Sequence, residues 1–436
     1  MTAEPQIAPT LRVESFTAAQ GSDLSGEGAF AAWLEGVRFG FHQARVEPDD
    51  VPALAEAYDA DGRILWGAYD DNGGTHAWDP RIPVATYATM VNSLNVGGGR
   101  LLDAHLVTSV TVRPTHRRKG LLRRMITQDL QGAADRGLAI AALTASEATI
   151  YGRFGFGAAA LTTSVEVDVR ERFELTAPSY GRMEVVEPRS AVELADAIFA
   201  GFHARARGSV GRQYSYARMA SGLWGEERPR PDNGLRTAVH YDDDGRPDAY
   251  VSYKFNGWDS TPTTVRVKDL VAVSDAAYLE IWRYLGSLDL IDRVTFHAAP
   301  VQDPLPWALS DRRCRTLKSD EDALWLRILD PLVALETRFY ESDGTLTVRV
   351  ADALRHAAGT FKIVAEAGSA VVSRLEEGTQ ADIDLDVSAL GSLYLGGVDA
   401  TILASAGRIS ASSPDALGLA DRLFGVARQP YCVTHF

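Results

Sequence analysis

At 436 residues the chain is about three times the length of a typical domain, so a single compact core is excluded at the outset. Apolar residues make up 46% and charged residues 23%, a globular composition that excludes a disordered, collagenous or coiled-coil chain. Forty-four basic against 58 acidic side chains leave a net charge of −14, which argues against a general nucleic-acid binder and suits a cationic substrate or partner.

Cys314 and Cys432 are too few for a disulfide scaffold or a cysteine-rich zinc site, and the histidines show no metal-ligand spacing, so no metal is expected. Met1–Thr10 carries Glu4 and two prolines where a signal peptide would be basic and then apolar, and no apolar run approaches a membrane span. A cytoplasmic protein with no membrane contact is the expectation.

Residues 1–26 are polar with scattered glycine and proline, and read as a loose arm. Apolar spacing predicts a helix over Phe30–Phe41, and Asp49-Asp50 ahead of Val51-Pro52 reads as the cap of a second. Arg63–Tyr69 and Leu101–Val112 read as strands, with the glycines 97–99 as a turn between them. After Val112 comes a basic turn, then apolar residues at helical spacing (Leu121, Leu122, Met125, Ile126, Leu130). Leu138–Thr144 follows as a short buried parallel strand. Ser146–Phe156 reads as a turn or short helix, and Leu161–Val169 as a strand that closes a first domain over 27–170.

The next stretch, 171–329, repeats that plan. Val265–Val273 is a strand, Ser274-Asp275 caps a helix carrying Ile281, Trp282 and Leu285, and Val294–His297 is a further strand. No arginine pair and no glycine stand at its strand–helix junction, so it reads as a degenerate copy without a phosphate site. Pro229–Asp232 and Asp242–Gly245 read as exposed loops. Over 330–436 short strands (345–350, 360–365, 370–375, 381–387) precede helices near 390–395, 401–404 and 414–427, an α+β unit behind two α/β units.

The basic turn carries the chemistry. Arg117, Arg118 and Lys119 lead through Gly120 to Leu121 and Leu122. A strand-to-helix turn leaves backbone N–H groups unpaired at the positive end of the helix dipole. Glycine lets a ligand approach them, and the basic side chains add charge for a pyrophosphate.

With its flanking strands, this segment resembles the coenzyme A loop of GNAT N-acetyltransferases. Val110–Leu122, Ala145-Ser146-Glu147 and Ile150–Gly157 narrow the resemblance to the Eis (enhanced intracellular survival) family, and further blocks at Gln302–Pro306, Leu324–Ile328 and Leu390–Gly396 extend it towards residue 436.

The resemblance implies tandem GNAT folds, the second degenerate, a C-terminal sterol-carrier-like domain and a hexamer. It implies transfer of acetyl from acetyl-CoA to amines of aminoglycosides, peptide antibiotics or lysine side chains. By the same resemblance Tyr151 is the general acid and the C-terminal carboxylate of Phe436 the base. Acetyl-CoA is expected along Val110, Thr111 and Val112, with Arg117–Leu122 on its pyrophosphate and Ser146 beside it.

Chemistry alone is compatible with these roles: a strand-end N–H can meet the oxyanion, and a phenol can protonate a departing thiolate. A carboxylate is a weak base for an ammonium, so its part is to attract the cationic amine and assist as charge develops. Two positions depart from a family member: His435 stands where that member is acidic and could itself serve as base, and Ser109 stands in place of an aromatic. The competing reading is a lipid or hydrophobic-ligand carrier with a vestigial GNAT fold.

Overall fold

The computed structural model describes residues 11–22, 28–72 and 75–436. The N-terminal part contains β1 (Leu11–Thr17), α1 (Ala18–Gly21), α2 (Ala29–Gly40), α3 (Val51–Ala60), β2 (Ile64–Asp70), β3 (Ala85–Asn95) and β4 (Leu101–Val112). The turn then enters α4 (Leu121–Asp135), β5 (Ile140–Leu143), α5 (Ala148–Tyr151) and β6 (Gly157–Asp168).

The middle part adds β7 (Arg182–Val185), α6 (Pro188–His203), α7 (Ser215–Ser221), β8 (Leu235–Tyr241), β9 (Pro247–Phe255) and β10 (Thr264–Ala272). It continues through α8 (Asp275–Gly286), β11 (Arg293–Pro300), α9 (Leu305–Ala308) and β12 (Arg315–Ile328).

These strands form one twelve-stranded sheet in the order β1-β2-β3-β4-β5-β12-β6-β11-β10-β9-β8-β7. The two α/β units are therefore not side-by-side beads. β12, late in the chain, pairs antiparallel with both β5 and β6 at the centre of the sheet. Each unit has one parallel pair with a helical crossover, β4 with β5 and β10 with β11.

The third part has α10 (Pro331–Thr337), β13 (Gly344–Ala351), β14 (Gly359–Glu366), β15 (Ser369–Leu375), β16 (Ile383–Asp386), α11 (Val387–Tyr394), α12 (Ala400–Ser405), β17 (Ile409–Ala411) and α13 (Pro414–Phe424). Its sheet runs β15-β14-β13-β16-β17. α11 lies on β6 and β12 so closely that a Cβ at Gly391 would come 2.3 Å from the Leu326 carbonyl oxygen. Leu346, Val348, Phe361 and Ile363 of the small sheet share one core with Leu106, Ile140 and Leu326 of the large one. Removing this apolar surface from water is what joins the two sheets.

Three expectations are corrected. Residues 11–22, expected in a loose arm over 1–26, form β1, which pairs along its length with β2, and α1, capped by Thr17; the rest of that arm lies outside the described residues. Asp50 makes no capping bond to α3. Its carboxylate is buried and accepts from Arg228 Nε and Arg230 Nε, both at 2.7 Å, so the stretch around Pro229 is a tie between the two α/β units. β3, β8, β9 and α6 are elements that sequence reading did not assign.

Candidate functional site

β4 and β5 run parallel and paired only from Ala104 to Val107 against Ile140 to Leu143. Beyond that point β4 departs, and among the described residues its edge from Thr108 to Val112 has no strand partner on the β5 side. The departure begins at a bulge. Ala88 of β3 faces Thr108 and Thr86 faces Thr111, so Ser109 and Val110 together face Tyr87, and Ser109 takes a left-handed φ of 53°. Thr86 Oγ1 donates to the Ser109 carbonyl at 2.8 Å and lies 2.7 Å from Thr111 Oγ1, which fixes the bulge.

The gap is a cleft of about 720 Å³ lined by Val110, Thr111 and Val112 on one side and Ser146, Ile150, Tyr151 and Phe154 on the other. Gly40 closes it from α2. A Cβ there would fall 2.3 Å from Thr111 Cβ, so the helix end can approach β4 only as glycine.

At one end of the cleft Gly120, with φ 79°, turns the chain into the fifteen-residue α4. The first helical bond in the turn is Arg124 N–H to the Gly120 carbonyl at 3.0 Å, which leaves the N–H groups of Leu121, Leu122 and Arg123 without intrahelical partners. Among the described residues Arg117, Arg118 and Lys119 are exposed and form no ion pair. Free N–H groups, a helix dipole and unpaired cations at one point fit the diphosphate of a coenzyme. His116 is held to one side, its Nε2 at 2.9 Å from Asp70 Oδ2.

Across the cleft, Tyr151 is 6% exposed and packs edge-to-face on Phe156 with centroids 6.3 Å apart. Burial, aided by the charge of Glu147, pushes its phenol up to about 12, so it stays protonated at neutral pH. The turn that follows Tyr151 is braced from beneath. Arg327 on β12 donates to the Phe154 carbonyl at 2.6 Å and to the Asp352 carboxylate at 2.9 and 2.8 Å, with both side chains fully buried.

The last residue, Phe436, ends beside β5: Thr144 Oγ1, one residue past that strand and two before Ser146 of the cleft wall, donates to its main-chain oxygen at 2.7 Å. His435 is exposed, and the protein atoms around it push its imidazole down from the usual value. The Tyr216 hydroxyl accepts from the His435 N–H and donates to the His435 carbonyl at 2.6 Å.

Ten sequence-expected residues, Val110–Val112, Arg117, Arg118, Gly120–Leu122, Ser146 and Tyr151, thus line one cleft, with Lys119 in the same turn. Phe436 does not line it but is tied to Thr144, two residues from Ser146. Thr144, Tyr216 and Arg327 were not assigned to the site from sequence; Arg327 lies in the Leu324–Ile328 block, but no motif marks Thr144 or Tyr216. Among the described residues no group of three or more metal-ligating side chains occurs, and no helix is long and apolar enough to cross a membrane.

Comparison with known proteins agrees with this geometry. Models of the acetyltransferase (GNAT) domain match residues 25–159 and 208–328, and a sterol carrier protein domain matches 331–433. An uncharacterised N-acetyltransferase of Streptomyces griseus is 33% identical over 415 residues, 92% of this chain and 96% of that relative. N-acetyltransferase Eis of Mycobacterium tuberculosis is 33% identical over 345 residues, covering 76% of this chain and 80% of its own length. The crystal structure of Eis1 from Mycobacterium abscessus superposes with a TM-score of 0.78 at 29% identity over 98% of this chain and 100% of that one.

The fold and the matched domains define an N-acetyltransferase with two GNAT domains, which imply use of acetyl-CoA, and a sterol-carrier domain. The chain belongs to the Eis family of N-acetyltransferases.

Proposed function

We propose that the protein transfers acetyl from acetyl-CoA to primary amines of cationic acceptors, aminoglycosides and lysine-bearing or antibiotic peptides among them. The observation that supports this best is the β4–β5 cleft, with cations and free N–H groups at one end, Tyr151 at its wall and Phe436 tied to Thr144. In this reading the unpaired edge at Val110–Val112 offers an N–H to the oxygen of the thioester carbonyl as the amine nitrogen bonds to its carbon.

Tyr151 gives its proton to the sulfur as the C–S bond breaks. A phenol near 12 is a poor acid in water, but the burial that raises it also raises a thiolate formed beside it, so the donor remains matched to its task. The Phe436 carboxylate draws the ammonium in and receives its proton, directly or through water. His435, held neutral by its surroundings, is the second acceptor for that proton. The products are an amide and the coenzyme thiol.

The net charge of −14 favours the approach of polyamines. A carrier function is less well supported, because the inward faces of β13 and β14 are spent on the core shared with the large sheet. The hexamer stays with this reading, and exposed Trp258, Leu290, Trp307 and Val371 are consistent with contacts between subunits.

The test is thiol release from acetyl-CoA on adding an amine-rich acceptor. Tyr151→Phe is expected to lower kcat by roughly 10² or more with little change in KM for acetyl-CoA. An unchanged kcat would remove Tyr151 from the chemistry.

A further inference from the structure

The middle unit carries its own version of the cofactor cleft. β10 and β11 are parallel and paired only from Thr264 to Arg266 against Arg293 to Thr295, and beyond that they diverge as β4 and β5 do. The helix that follows β10 cannot hold a phosphate: Ser274 Oγ closes the start of α8 by accepting from Ala277 N–H at 3.1 Å, and Asp275 adds a negative charge.

The gap holds the chain's own C-terminal segment. Arg428 pairs with Asp275 at 2.7 Å, Gln429 N–H donates to Gln302 Oε1 at 3.1 Å, and Tyr431 donates through N–H to the Arg207 carbonyl at 2.8 Å. The Tyr431 hydroxyl donates to the Ala298 carbonyl of β11 at 2.6 Å. Only a residual space of about 190 Å³ is left around them.

From Tyr431 the segment runs towards β5 and the other cleft's Ser146 wall. Thr434 Oγ1 donates to the Val210 carbonyl at 2.7 Å, the Tyr216 hydroxyl holds both main-chain groups of His435, and Phe436 ends on Thr144. Five residues span at most about 18 Å, so an error of one residue at Tyr431 would carry Phe436 away by over 3 Å. Tyr216 is itself fixed: Arg212 stacks on its ring at 4.6 Å and is anchored to Asp269 at 2.7 and 2.9 Å.

We infer that the second cofactor-like cleft has become a register clamp for the C-terminal segment, with Tyr431 and Tyr216 as positioning residues that set Phe436 at the acetyl-transfer site. The inference rests on the reading of Phe436 as the group that assists the amine.

The experiment compares, in the full chain, Tyr216→Phe, Tyr431→Phe, removal of Phe436 and the combination of Tyr216→Phe with that removal. Each Tyr→Phe change keeps the ring and deletes hydroxyl contacts. Tyr216→Phe should lower kcat about 10- to 100-fold, as a displaced group does, with KM for acetyl-CoA and the melting midpoint close to wild type. Tyr431→Phe should do the same to a smaller extent. Adding Tyr216→Phe to the Phe436 deletion should cause no further loss, whereas a merely structural role would multiply the two.

Wild-type kcat in both Tyr→Phe variants, with activity lost on deleting Phe436, overturns the clamp and leaves the terminal group in place. Wild-type kcat after deleting Phe436 overturns the reading beneath it. Should Tyr216→Phe melt early, Thr434→Val, which deletes one bond to Val210, takes its place in the same cycle, with the same two outcomes.

Discussion

Arg327 and Asp352 form a buried pair that joins the central strand β12 to the third domain directly below the Tyr151 turn. Replacing Arg327 by Met keeps the stem of the side chain and removes the charge, leaving the Asp352 carboxylate buried. The N–H groups of Leu354 and Ala357, both at 3.0 Å from that carboxylate, remain. A broken buried pair costs about 3–5 kcal/mol, and these two surviving bonds place the cost near 3 kcal/mol. With roughly 2.1 cal/mol/K of unfolding entropy per residue over 436 residues, that is a fall of about 3 °C in the melting midpoint if the chain melts as one unit.

Asp352→Leu alone should cost a similar amount, because the guanidinium then keeps only neutral partners, the Phe154 carbonyl at 2.6 Å and His356 Nδ1 at 3.3 Å. The double variant Arg327→Met/Asp352→Leu should be more stable than either single one, since it leaves no unpaired charge. Differential scanning fluorimetry and kcat on the same four proteins test this. Arg327→Met should also lower kcat, because the turn after Tyr151 loses its brace. Strictly additive midpoints would refute the argument that the pair's value lies in mutual compensation.

Other expectations follow from the same geometry. Gly120→Ala forces a side chain into a φ of 79° at the mouth of the proposed diphosphate site, and should raise KM for acetyl-CoA at least severalfold while costing about 1–2 kcal/mol in stability. Reversing charge with Arg117→Glu should raise the same KM and leave the midpoint within a degree or so, since this side chain is exposed and unpaired among the described residues. Burial opposes the charge on Asp352, but the Ala357 N–H, Arg327 and the Leu354 N–H outweigh it and hold the carboxyl below the usual range. A carboxylate depressed in the folded state contributes stability above its unfolded value near 3.9 and loses it as pH falls through the folded value, so acid unfolding should begin below about pH 4 and be weaker in Asp352→Asn.

The basic turn into α4 was legible in the sequence because its parts are local: a strand, three cations, a glycine and a helix whose apolar positions Leu121, Met125, Ile126 and Leu130 all prove buried. β5 was legible for a similar reason, as its four residues are wholly enclosed. The third domain's strands came through because their two-residue alternation is clean, as in β13.

β12 was missed because its first half, Arg315–Asp322, is polar and largely exposed, although the strand lies at the centre of the sheet. Its insertion between β5 and β6 is a pairing across the chain that no window of sequence contains. The C-terminal contacts share that property. Thr144 and Phe436 are 292 positions apart and Tyr216 and His435 are 219, and each bond joins a common side chain to a backbone group, which leaves no compositional trace. Asp50 misled for the opposite reason: it has the sequence of a cap, but two arginines some 180 positions away claim its carboxylate.

Movement of acetyl from coenzyme to amine in the β4–β5 cleft is the step on which the proposed function depends. Mass spectrometry of an acceptor panel, with aminoglycosides, polyamines and lysine peptides incubated with acetyl-CoA and the full chain, measures that transfer. The predicted result is an acetylated acceptor with an equal amount of free coenzyme thiol, both strongly reduced in Tyr151→Phe. A protein that binds acetyl-CoA yet leaves every acceptor unmodified would contradict the account.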